Sequence, residues 1–278
     1  MTKVAVTGGS GKAGRAVVRD LLDHGYQVVN VDMAAPAQML TRFRQVDLTH
    51  LGEVFEAFNG VDAVVHLAAI PNPDRFTPGH IFHNNTMGCY NVFTAALQLK
   101  LDRVVWASSE TTLGLPFDRQ PPVYAPIDET LAPLPETSYA LSKVVTEEMA
   151  RQFHRWSGIP FVGLRLSNIK DPEQYADFPS YWQDARLRKW NLWGYVDVRD
   201  VALSCRLGLE APVQGAEVFI IAAADTVMNR PSRDLLAEVF PTVPLHRPIG
   251  EFETLLCIDK ARQVLGYVPL YSWRAHVK

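Results

Sequence analysis

The stretch Lys3-Val4-Ala5-Val6-Thr7-Gly8-Gly9-Ser10-Gly11-Lys12-Ala13-Gly14 decides the architecture of this 278-residue chain. Its first four residues read as a buried strand, and the amphipathic run at 13–23 reads as a helix. Between them, glycines permit a tight turn, let backbone N–H groups approach a phosphate, and let the helix pack closely on the strand. A helix N-terminus carries partial positive charge, so the turn suits a pyrophosphate. Such glycines are a weak signal by themselves. Strand, loop and helix in that order make a dinucleotide site the expectation, with Gly8, Ser10, Gly11, Lys12, Ala13 and Gly14 at the phosphates.

The alternation continues outward from this unit. Residues 27–31, 63–67, 103–107 and 161–166 are short, near-continuous apolar runs, as strands covered on both faces require. Helical stretches fall between them at 51–58, 81–99 and 137–156. These lengths imply right-handed crossovers and an α/β, Rossmann-type doubly wound parallel sheet. After residue 166 the character changes. Residues 167–193 mix Pro, Tyr, Trp and charge without a period, 197–209 look helical, and 217–221 look like another buried strand. The expected organisation is a nucleotide-binding domain over residues 1–166 with 195–222. A small C-terminal substrate lobe takes residues 167–194 with 223–278.

A formal net charge of −3 gives no electrostatic reason to expect nucleic acid or an anionic membrane as partner. No apolar run approaches the ~20 residues needed to span a bilayer, and the first residues show no apolar signal core. Cys89, Cys205 and Cys257 are odd in number and far apart, which argues against a disulfide framework. No metal site is expected. These features lead to a cytoplasmic protein with a small-molecule substrate.

The second apolar run ends in Asp32. A carboxylate there accepts hydrogen bonds from the adenosine ribose hydroxyls and repels a 2′-phosphate. Met33 and Ala34 follow, offering no cation to that phosphate, so NAD is the expected cofactor; Lys12 and Arg15 keep NADP open as the alternative. The run at 103–107 ends in Ser108-Ser109, and Tyr139-Ala140-Leu141-Ser142-Lys143 opens a helix. Tyr139 and Lys143, four apart, share a helix face. A phenol is a poor base near neutrality, and an adjacent ammonium favours its ionised form. Tyr139 is thus the candidate general base, with Lys143 tuning it and Ser109 aligning the reacting oxygen.

Taken together with further pieces, the sequence resembles the extended short-chain dehydrogenase/reductase family, in its NAD-dependent epimerase/dehydratase group. The matching pieces are residues 7–14, Asp32, Asp47-Leu48, His66-Leu67-Ala68-Ala69, Asn85 with Gly88 and Asn91, and Ser108-Ser109 with Gly114. Tyr139 with Lys143, Arg165 to Asn168, Tyr195-Val196-Asp197 before Asp200-Val201-Ala202, and a tail from Asp259 to Trp273 continue the match. The resemblance implies that Asp47 and Leu48 border the adenine and that Leu67, Ala68 and Ala69 lie along the cofactor. It implies that Tyr139 and Lys143 reach the nicotinamide end, Lys143 at the ribose, while His66 packs nearby and Asn85 is structural. It also implies a homodimer, in which the helices at 81–99 and 137–156 pair across a two-fold axis.

Departures from the family narrow the substrate. Only 26 residues separate Asn168 from Tyr195, a segment that closes over a sugar ring more readily than over a nucleoside diphosphate. Dehydratases of the family carry two acids just after the serine or threonine; here Glu110 is followed by Thr111, so that pair is incomplete. Glu110 is either a partner for substrate hydroxyls or a solvated loop carboxylate. The short lobe is similar to that of the uronate and small-sugar dehydrogenases at Pro172, Tyr175 and Trp182, although Ala176 stands where uronate enzymes place a carboxylate-binding Arg. Arg186 and Arg188 are its candidate replacements. Aromatic residues of the lobe suit stacking on sugar rings. Ser109, Glu110, Asn168 and Trp182 are the expected substrate residues. The expected activity is NAD-dependent oxidation of a secondary hydroxyl of a sugar, sugar acid or similar small polyol, with an NAD-dependent sugar or nucleotide-sugar epimerase as the alternative and a non-catalytic cofactor sensor as a third reading.

Overall fold

Residues 2–71 and 75–276 are described by a computed structural model. The glycine-rich stretch folds as β1 (Lys3–Thr7) and α1 (Lys12–Asp23), and β2 (Gln27–Asp32) returns beside β1 in parallel. There follow β3 (Arg42–Gln45), α2 (Leu51–Phe58), β4 (Ala63–His66), α3 (Pro78–Leu99), β5 (Arg103–Ser109), α4 (Ser138–Ser157) and β6 (Phe161–Leu166). A two-residue pair, β7 (Ile169–Lys170) and β8 (Val196–Asp197), brackets the irregular segment; α5 (Val198–Glu210), β9 (Ala216–Ile221), α6 (Ser232–Val239) and α7 (Asp259–Leu265) complete the chain. The main sheet is parallel throughout, in the order β3-β2-β1-β4-β5-β6-β9.

Period-two alternation explains why its strands are apolar on both sides. Val4 and Val6 join one core cluster with Val17, Val18 and Leu21 of α1, while Ala5 between them joins another with Phe93 and Phe153. Helices α1 and α5 pack together on the first face, and α3 packs on α2 and α4 on the second. On that second face the rings of Phe93, Trp106, Phe153 and Phe161 meet mostly edge to face. Gly163 makes room there: a Cβ on it would come within 2.5 Å of the Trp106 ring.

Most sequence expectations fall within a residue or two of the observed bounds. Helix α3 begins three residues before its expected start, and the strand β3 is not among the expected strands. Its residues Arg42-Phe43-Arg44-Gln45 are polar because it is an edge strand with no more than half-buried side chains, so it carries no apolar run. The aperiodic segment 167–193 holds two runs of 3₁₀ helix, Pro172–Tyr181 and Ala185–Asn191, whose three-residue turn shows neither the α-helix nor the strand period. Its apolar side chains Tyr175, Phe178 and Trp193 join the α1/α5 cluster, together with Leu255 and Trp273 from the tail.

Candidate active site

The strand order reverses between β1 and β4, and ligands of open α/β sheets bind at that switch, beyond the carboxyl ends of the strands. A cleft of about 1000 Å³ lies there. At one end it is lined by the loop after β1, where two glycines are required by geometry. Gly8 has φ of +70° and a Cβ on it would come within 2.7 Å of the Ala68 nitrogen; a Cβ on Gly14 would run into the Gly8 carbonyl. The loop therefore lies close to the chain after β4 and delivers the first turn of α1, with its unsatisfied N–H groups, to the cleft. Gly8, Gly11, Lys12, Ala13 and Gly14 all line it; Ser10 does not, and instead donates its backbone N–H to Asp32 Oδ2 at 3.0 Å.

Asp32 also accepts the N–H of Ala34 at 3.2 Å, which fixes the carboxylate at the rim with acceptor capacity to spare. Asp47, Leu48, Leu67, Ala68 and Ala69 line the same end. Asp47 accepts from the hydroxyl and the N–H of Thr49, at 2.7 and 2.9 Å, and these bonds hold its carboxyl below the usual range. Asn91 donates to the Leu48 carbonyl at 2.8 Å. Asn85 clamps the backbone of Ile70, accepting at 2.8 Å and donating at 3.2 Å, which is a structural role. His66 is buried and shares a 2.7 Å hydrogen bond with the Thr7 hydroxyl; burial pushes its imidazole down to about 3, so it is neutral.

Ser109, Tyr139 and Lys143 line the middle of the cleft. Thr137 caps α4 by accepting from Ala140 N–H at 3.0 Å, so Tyr139 and Lys143 sit in the first two turns. Lys143 is buried, donates to the Ala107 carbonyl at 2.7 Å, and holds its ammonium 5.6 Å from the centre of the Tyr139 ring. Ser109 Oγ accepts from the N–H and the hydroxyl of Thr111, at 3.2 and 2.9 Å. With its oxygen so engaged, its own O–H hydrogen is the group it offers to a ligand. One helical turn beyond Lys143, Glu147 forms a buried bidentate pair with Arg165, at 2.9 and 2.8 Å, and accepts from Ser108 at 2.6 Å. This pair, unremarked in the sequence reading, ties α4 to β5 and β6 directly behind the three side chains. The repeat Tyr139, Lys143, Glu147 at four-residue spacing was its available signal.

Of the expected substrate residues, Ser109, Glu110 and Asn168 line the cleft and Trp182 does not. Trp182 packs its ring on Trp273 at 5.3 Å and donates its indole N–H to the Val227 carbonyl at 3.0 Å, so it anchors the tail instead. Tyr175 and Trp193 are core residues, while Trp190, from the same irregular segment, lines the cleft. Glu110 is not a solvated loop carboxylate: it is buried and held by Ser167 and Asn191. Arg186 is exposed, and Arg188 is buried behind Asn168. Among the described residues, no group of three or more acidic, His or Cys side chains is placed to hold a metal ion, and no helix is long and apolar enough to cross a membrane.

The chain belongs to the NAD-dependent epimerase/dehydratase family, whose model matches residues 4–222. It is 27% identical over 199 residues to an NAD-dependent glucose-6-phosphate dehydrogenase of Haloferax volcanii, covering 66% of this chain and 76% of that enzyme. It is 26% identical over 312 aligned positions to a UDP-glucose 4-epimerase of Lacticaseibacillus casei, covering 97% and 92%. A solved short-chain dehydrogenase/reductase superfamily protein of Agrobacterium tumefaciens, with bound NAD, superposes with a TM-score of 0.76 at 21% identity, over 98% of this chain and 94% of that one. Sugar dehydrogenases and sugar-nucleotide epimerases are both relatives. The family's cofactor is NAD, and the glycine cradle at Gly8 and Gly14, the open α1 N-terminus and the Asp32 carboxylate fit it.

Proposed function

We propose that this protein is an NAD-dependent dehydrogenase that oxidises a secondary hydroxyl of a sugar, sugar acid or similar small polyol. The observation that carries this reading is the convergence of Ser109, Tyr139 and Lys143 on the same cleft as the glycine loop. Bound NAD supplies the hydride acceptor. Gly8, Gly11, Lys12, Ala13 and Gly14 would hold its pyrophosphate, Asp32 its adenosine ribose and Lys143 its nicotinamide ribose. Ser109 donates its O–H to the substrate oxygen that reacts, and Tyr139, with the Lys143 ammonium beside its ring, takes that oxygen's proton. Glu147 and Arg165 keep α4 in register with β5.

An epimerase would use the same side chains, but it must hold its oxidised substrate until the return step, which calls for a large remote anchor on the substrate. The alignment with the Lacticaseibacillus casei epimerase is longer than this chain, so that enzyme carries insertions that this chain lacks. The 26 residues between Asn168 and Tyr195 are spent on two 3₁₀ turns whose apolar side chains pack into the core. Both facts favour release of the oxidised product. The test is a panel of sugars and polyols incubated with NAD, followed by absorbance and by product stereochemistry. NADH should accumulate in solution in step with product, and Tyr139→Phe should lower kcat/KM by about 10²–10⁴. Two epimers interconverting without free NADH would overturn the proposal.

A further inference from the structure

The substrate end of the cleft pairs a buried carboxylate with a guanidinium whose two terminal nitrogens are already engaged. Glu110, beside Ser109, lines the cleft while its Oε2 accepts from the Ser167 hydroxyl at 2.6 Å and its Oε1 from the Asn191 amide at 3.4 Å. Arg188 lies behind them, 5% exposed and away from the cleft lining. Its two terminal nitrogens donate to Asn168 Oδ1 at 3.4 and 3.3 Å, and one of them also to Asn191 Oδ1 at 3.4 Å and the Gly194 carbonyl at 3.2 Å. The rings of Trp190 and Tyr181 flank it at 4.8 and 5.2 Å. Arg188 therefore answers Glu110 electrostatically and is not presented to a ligand.

We propose that this pocket selects an uncharged sugar or polyol over its carboxylate or phosphate counterpart, with Glu110 as the specificity-determining residue and Arg188 as its internal counter-charge. The inference rests on the dehydrogenase reading above and narrows its substrate class. With Asn168 Oδ1 occupied by Arg188, the amide N–H₂ is what Asn168 offers to the cleft, while Glu110 offers acceptor lone pairs. A donor and an acceptor side by side match hydroxyl groups, which both give and take hydrogen bonds. An anionic substituent placed there would face the Glu110 carboxylate, and repulsion between like charges in a site of low polarity disfavours it. The other cations at the cleft are committed or distant from this end. Lys143 is bonded to the Ala107 carbonyl, Lys12 pairs with Gln174 at 2.6 Å and Asp171 at 3.3 Å, and the His80 ring, exposed at the start of α3, stacks on Phe76. Burial pushes Glu110 up to about 7, against the opposing bonds from Ser167 and Asn191 and the charge of Arg188, so the carboxylate form prevails at pH 8.

The test compares, at pH 8 with NAD present, kcat/KM for a neutral aldohexose, the matching hexuronic acid and the matching hexose phosphate. Calorimetric binding of the same three to the protein–NADH complex provides a second readout. The neutral sugar should be favoured by about tenfold or more, and Glu110→Gln should reduce that advantage by about tenfold by leaving Arg188 without its counter-charge. Thermal melting establishes that the variant is folded; if it is not, the ratios of the unmodified protein still decide the matter. A preference for the acid or the phosphate would overturn the inference while leaving the dehydrogenase reading intact, and would point instead to Nε of Arg188, which is buried with no hydrogen-bond partner among the described residues. An unchanged ratio in folded Glu110→Gln would overturn the role of Glu110. No NADH from any of the three, nor from a wider sugar panel, would overturn the dehydrogenase reading and this inference with it.

Discussion

Glu110 shows how one residue links stability to pH. Its folded value of about 7 lies above the ordinary carboxyl value of 4.5 because burial penalises the charged form more than its hydrogen bonds favour it. A raised carboxyl value means that the fold prefers the protonated form. The contribution of Glu110 is therefore fully present below about pH 4.5 and is lost as pH rises through about 7. Glutamine, neutral at every pH, escapes that loss. Denaturant unfolding should show Glu110→Gln gaining on the unmodified protein between pH 5 and pH 8, by something on the order of 2–3 kcal/mol. A constant difference across that range would show that the carboxyl does not titrate as buried.

At the scale of elements, the end of β2 does two jobs. Asp32 is the last residue of the strand, and its carboxylate both braces the glycine loop through the Ser10 N–H and faces the cleft. The residues after it, Met33 and Ala34, bring no positive charge to that turn, and Met33 is exposed. NAD should therefore bind much more tightly than NADP. Asp32→Ala should weaken NAD binding and narrow the gap, because it removes a ribose acceptor and a repulsive charge together. Titration of both dinucleotides by calorimetry checks this, and equal affinities in the unmodified protein would contradict it.

At the scale of the whole molecule, α3 and α4 present large apolar side chains to solvent. These helices pack on each other, yet Met87 and Tyr90 on α3 and Leu141 and Trp156 on α4 are 37–56% exposed. Clustered apolar residues on neighbouring helices mark an association surface more often than scattered ones do. A second copy of the chain, packing the same two helices about a two-fold axis, would cover exposed apolar side chains of this pair. Light scattering at micromolar concentration should give the mass of a dimer, and Tyr90→Glu should shift it toward the monomer. A monomer mass for the unmodified protein would exclude this assembly.

Local signals determined a large part of this molecule by themselves. The glycine loop, Asp32, and Tyr139 with Lys143 are legible because backbone conformation and helix period act over a few residues, and the strands are legible because a sheet covered on both faces needs continuous apolar runs. The edge strand β3 and the 3₁₀ turns of 167–193 are not, since neither carries such a period. Tertiary structure alone decided which polar groups share a buried space. Trp182 looks like a sugar platform in sequence and is an anchor for the tail, 45 residues from its carbonyl partner. Glu110 and Arg188 each looked like a ligand contact; only the fold, by bringing Ser167, Asn168 and Asn191 between them, makes one face the cleft and spends the other on holding it. The physical reason is burial. A charged side chain removed from water must find its partners across the fold, and no short-range pattern records which partners those are.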